Sequence, residues 1–93
     1  MTKYLYWAEY VPPERSGSIE FEDAEVLELI RAGGRELTEP DTNAGDYHLT
    51  TDHCRVLQAE YDRTGDKVYS ELIAAILRSR NGIRVTWNWH ANQ

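Results

Sequence analysis

Four residues with metal-binding or acid–base side chains crowd one short stretch: His48, Asp52, His53 and Cys54. A zinc site would need three or four such ligands to converge. The pattern does not supply them. There is no Cys-x-x-Cys or His-x-x-x-His pair, the residue four after His53 is Leu57, and His90 lies far away in sequence. Nucleophilic chemistry at Cys54 would require a depressed thiol pKa. The start of a helix would help, but adjacent helical residues point about 100° apart. His53 is therefore badly placed to serve Cys54 as a base, and Cys54 reads as a core thiol. No catalytic residue, metal or cofactor is expected.

Carboxylates are plentiful. Glu20, Glu22, Asp23, Glu25 and Glu28 fall close together. Paired carboxylates can act as acid and base when burial separates their pKa values, but nothing in the pattern marks one of these as buried. They read instead as a charged strand face, a helix cap and a helix surface. Glu20, Glu22, Glu25 and Glu28 then form a candidate partner-binding acidic surface. Ser16-Gly17-Ser18 lacks the Gly-x-Ser-x-Gly form of a nucleophile elbow. Gly33-Gly34 is not followed by the Gly-Lys-Ser/Thr of a phosphate cradle. Both are turn chemistry.

The remaining candidates are aromatic. The chain of 93 residues holds six Tyr and three Trp against one Phe, and such side chains suit half-buried positions. Tyr4, Tyr6 and Tyr10 share one side of the first strand. If that strand pairs with the last, they adjoin Arg84, Thr86, Asn88 and His90. Aromatics beside an arginine on an open sheet can stack bases. The net charge of −6 opposes this, because an acidic chain is repelled by nucleic acid at long range.

The elements that must position these residues follow from periodicity. Lys3 to Val11 reads as a strand, with Leu5, Trp7 and Val11 on one side beside Glu9; Pro12-Pro13 ends it. Ile19 and Phe21 face inward from a second strand whose Glu20 and Glu22 face out. Asp23 is placed as the N-cap of a helix over Ala24–Ala32, with Val26, Leu27 and Ile30 as its apolar stripe. Arg35 to His48 reads as a loop with a short strand at 35–38. Thr50 or Thr51 caps a second helix running to about Arg63, with Cys54, Leu57 and Tyr61 as its stripe. Asp66 caps a third, whose face is Tyr69, Leu72, Ile73, Ile76 and Leu77, and Asn81-Gly82 stops it. Ile83, Val85, Trp87 and Trp89 alternate with Arg84, Thr86, Asn88 and His90 in a final strand.

The expected fold is a single α+β domain over residues 1–93. About three strands in β-β-α-α-α-β order make a small, mainly antiparallel sheet with helices on one face. One cysteine excludes an intramolecular disulfide. Glu9 interrupts any apolar leader, and no run approaches the roughly 18–20 residues of a membrane span. A cytoplasmic protein with no membrane partner is the expectation. Without an enzyme signature, the chain reads as a small acidic interaction protein of inhibitor, antitoxin or immunity type, on a phage or mobile element. It would bind a protein or nucleoprotein partner with a basic surface, and a homodimer is a further expectation. The alternative is a single-stranded nucleic-acid or small-ligand binder using the aromatic sheet face.

Overall fold

The computed structural model describes residues 3–10, 15–22, 24–39, 41 and 43–88. The expectations for Val11, Pro12, Pro13, Asp23, Trp89 and His90 fall outside these residues. In chain order the elements are β1 (Lys3–Glu9), β2 (Ser16–Phe21), α1 (Glu25–Gly33), β3 (Arg35–Glu36) and β4 (Ala44–Leu49). A 3-10 turn (Thr51–His53), α2 (Cys54–Thr64), α3 (Lys67–Arg78) and β5 (Ile83–Asn88) follow.

The first and last strands pair, as their patterning requires, so β5 lies at the centre of the sheet. The order is β2-β1-β5-β4-β3, with every neighbouring pair antiparallel. Five strands replace the three expected. The extra two come from the stretch 35–48: β3 falls within the short strand expected at 35–38, and β4 lies where a loop was expected. Gly45 and Asp46 look like breakers there, since both types are depleted in strands. Each has a tertiary reason to be tolerated. The ring of Trp87 lies where a side chain at Gly45 would stand, and Asp46 is held by Arg84.

Alternation decides which face is buried. Leu5, Ile19, Phe21, Leu49, Val85 and Trp87 are buried on one side, and α1 and α3 pack against that side through β4, β1 and β2. α1 contributes Val26, Leu27 and Ile30 to the core, α2 only Leu57. α3 buries Val68, Tyr69, Leu72, Ala75 and Ile76. Its stripe is thus rotated from the expected one: Leu77 is 64% exposed and Ile73 only half-buried. Leu77 lies one helical step of about 100° beyond Ile76, which carries it out of the contact. On α2, Tyr61 is likewise exposed and Cys54 half-buried.

The expected caps are found at Thr50, which accepts from the Asp52 amide, and at Asp66, which accepts from the Val68 amide at 3.1 Å. Gly65 closes α2 in the left-handed region with φ 72°. Gly82 does not cap α3, which ends at Arg78 with Ser79 after it. It turns the chain into β5 instead, with φ 79°, and a side chain there would run into the Leu49 carbonyl. A left-handed residue with a side chain costs about 1–2 kcal/mol. Gly82→Ala should therefore lower stability by at least that much in urea titration, whereas Gly65→Ala meets no neighbouring atom and should cost only the dihedral penalty. Equal losses at the two sites would show that the Leu49 contact is unimportant.

Candidate functional site

The side of the sheet turned away from the helices carries three rows of side chains, fixed by strand register. Ala8, Arg84, His48 and Arg35 lie in one row, and Ser18, Tyr6, Thr86 and Asp46 in the next. Glu20, Tyr4, Asn88 and Ala44 form the third. Tyr4 and Tyr6 are 40% and 54% exposed. Large aromatics so open on a sheet are the type of group that anchors interfaces.

Around them the polar groups are tied down. Asp46 is buried and accepts from two of the three Arg84 guanidinium nitrogens, Nε to Oδ1 at 2.7 Å and Nη2 to Oδ2. These bonds, with the carboxylate's charge, push the Arg84 pKa up. Tyr10 reaches across the sheet from the end of β1. Its ring stacks on His48 at 3.9 Å between centroids, and its hydroxyl accepts from Arg35 at 2.8 Å. His48 Nε2 donates to the Asn81 carbonyl at 2.7 Å. Hollows of about 580 and 320 Å³ lie to either side of the Tyr6–Thr86 ridge, the larger over β1 and β2 and the smaller over β4 and β5. Both are shallow and open to solvent.

A general base must reach a substrate proton with a free lone pair. On this face the Asp46 oxygens are engaged by Arg84, and His48 is covered by Tyr10. What remains is a rigid aromatic surface with fixed charges.

Among the seven candidate residues, Tyr4, Tyr6 and Tyr10 thus share the open face, and Glu20 joins them opposite Tyr4. Glu22 is exposed just past β2. Glu25 and Glu28 are on α1, in the helical layer on the opposite side of the sheet. Each has a cation beside it: Arg63 of α2 reaches Glu25 at 3.1 Å, and Arg31 lies 3.6 Å from Glu28. Arg63 also holds Glu60, and these acids raise its pKa. The four glutamates therefore form no continuous bare surface. Asp46, His48 and Arg35 belong to the open face and escaped the sequence reading. A signal for two of them existed, since Tyr47 and Leu49 alternate with Asp46 and His48.

The His53–Cys54 stretch does structural work. His53 Nδ1 accepts the Thr50 amide at 2.9 Å, and Nε2 donates to the Gly33 carbonyl, joining the end of α1 to the start of α2. A small apolar hollow of about 150 Å³ lies beside this link, between Leu29, Ala32, Val56 and Leu57. Cys54 packs against the core, and burial pushes its thiol pKa up, the opposite of what a nucleophile needs. Iodoacetamide should alkylate native Cys54 more slowly at pH 8 than it alkylates the urea-unfolded chain, and Tm should be the same with and without EDTA or reductant. Faster reaction in the native state would identify an activated thiol. Among the described residues no helix is long and apolar enough to cross a membrane. No family model, curated protein or solved structure matches the chain significantly.

Proposed function

We propose that this chain is a non-enzymatic docking protein that binds another protein through the open face of its sheet and modulates it by occupying that partner's surface. The observation that carries this reading is the exposure of Tyr4 and Tyr6 on a sheet face that no element of the described chain covers. The net charge of −6 favours a partner with a basic surface, since complementary charge speeds encounter. Inhibitor, antitoxin or immunity function would each suit a small acidic domain of this kind.

Nucleic-acid binding by the same tyrosines is less well supported. Arg84, the cation nearest Tyr6, is neutralised by Asp46, so little charge remains to offset the repulsion of phosphates.

The reading is tested by comparing two double variants with wild type in quantitative capture from the native cell. Tyr4→Ser/Tyr6→Ser should lose the captured protein, while Glu25→Lys/Glu28→Lys should retain it. The opposite result, loss only with the α1 variant, would move the docking surface to the helical layer.

A further inference from the structure

We infer that the open sheet face also pairs with a second copy of the chain, forming a weak twofold dimer that masks the docking surface. The inference rests on that face being the docking surface and adds how access to it is regulated.

Arg35 stands in the first row on β3, one edge of the sheet. Its contacts are the hydroxyl and ring of Tyr10, and no carboxylate lies within ion-pair distance among the described residues. Glu20 stands in the third row on β2, the other edge, and likewise makes no ion pair among the described residues. The two are at diagonally opposite corners of the face. Between them the charges cancel internally, because Asp46 and Arg84 form a closed pair.

Among the described residues, a face with an unpaired cation, Arg35, at one corner and unpaired carboxylates, Glu20 with Glu22 beside it, at the opposite corner is complementary to itself. Consider a twofold axis lying in the face, perpendicular to the diagonal and passing near Thr86 on the central strand. It brings Arg35 of each copy onto Glu20 of the other, so both pairs form at once, as an isologous contact requires. The strands of the two sheets then cross steeply, as in orthogonally packed sheets. Tyr4 and Tyr6 fall inside the overlap and are removed from water. No other arrangement of two stacked faces satisfies both corners.

The expected strength follows from the size. Five strands about 4.8 Å apart and three same-face positions about 6.8 Å apart give a footprint of about 19 by 14 Å. That is small, below the roughly 1,200 Å² of total buried surface usual for stable complexes. The dimer is therefore reversible, and a partner that binds the same face displaces it.

Sedimentation equilibrium of the purified chain, from about 1 μM to about 1 mM, tests this. Wild type should rise from 10.8 kDa toward roughly twice that mass, and less so in 1 M salt, where the Debye length falls to about 3 Å. Glu20→Arg and Arg35→Glu should each weaken association about tenfold or more, because each homodimer then carries two like-charge contacts. An equimolar mixture of the two variants should recover most of the wild-type affinity, since the mixed dimer restores an opposite-charge contact at both corners. Recovery also shows that both variants are folded. Should either fail to fold by circular dichroism, Tyr6→Arg serves instead and should abolish association. A monomer throughout the range overturns the inference, as does a dimer indifferent to these changes or a mixture that fails to recover. A monomer whose Tyr4→Ser/Tyr6→Ser variant still loses a cellular partner would overturn the dimer and leave the docking reading standing.

Discussion

Trp87→Ala should destabilise the domain by about 3–5 kcal/mol, the range for removing a buried aromatic side chain. Trp87 is 2% exposed at the point where sheet, α1 and β4 meet. Its ring stacks on Tyr47 at 5.7 Å and 11°, and the Arg31 guanidinium stands 5.3 Å from its centroid. Below it, Gly45 leaves the room a side chain would fill. Alanine would lose all three contacts and open a cavity in a thin core. With about 4–8 °C of Tm per kcal/mol in a domain this size, the midpoint should fall by more than about 12 °C. The indole Nε1 is buried without a hydrogen-bond partner, so Trp87→Phe gives up packing but no bond and should recover much of the loss. Gly45→Ala attacks the same contact from the other side, and overpacking of this kind costs about 1–3 kcal/mol. A loss below about 1 kcal/mol in Trp87→Ala would mean that the ring does not hold β4 to β5 as described.

The second large effect separates two neighbours on α3. Ile76 is fully buried, and Ile76→Ala should cost about 2–5 kcal/mol. Leu77 is 64% exposed, and Leu77→Ala should stay within about 0.5 kcal/mol, as exposed sites do. Glu71, also exposed on that helix, should behave like Leu77. Guanidinium titration of the three variants reads the helix phase directly. A large loss at Leu77 would return the helix to the broader stripe suggested by its residue types.

That stripe shows how far patterning carries. Ile19, Phe21, Val85 and Trp87 were legible as inward-facing because strict alternation leaves a strand little choice of face; on β1 alternation separated Leu5 from the tyrosines without fixing which side is buried. The pairing of β1 with β5 followed from there being few other partners. On α3 the run Leu72–Leu77 contains apolar residues on more than one side, so only the contact with β1 and β2 selects Ile76 over Leu77. Within the stretch from Arg35 to His48 the short strand at its start was legible, but β4 was not, for a different reason. Gly45 and Asp46 are poor strand residues in themselves and become acceptable only through Trp87 and Arg84, 42 and 38 positions away. The candidate face shared this division. Tyr4 and Tyr6 could be placed from their own strand, whereas Arg35 and His48 joined them only once β3 and β4 were in register. Proximity in sequence did not carry over into one surface for the four glutamates, because β2 points Glu20 to one side of the sheet while α1 carries Glu25 and Glu28 on the other.

The central claim is that the open sheet face docks a protein, and site-specific photo-crosslinking in the native cell tests it most directly. Benzoylphenylalanine would replace Tyr6 in one strain and Leu77 in another; both positions are exposed, and they lie on opposite sides of the molecule. Docking through the sheet face should give a discrete protein adduct from position 6, distinct from the self-adduct at roughly twice 10.8 kDa, and little or none from position 77. Discrete adducts from position 77 alone, or nuclease-sensitive adducts from position 6, would contradict it.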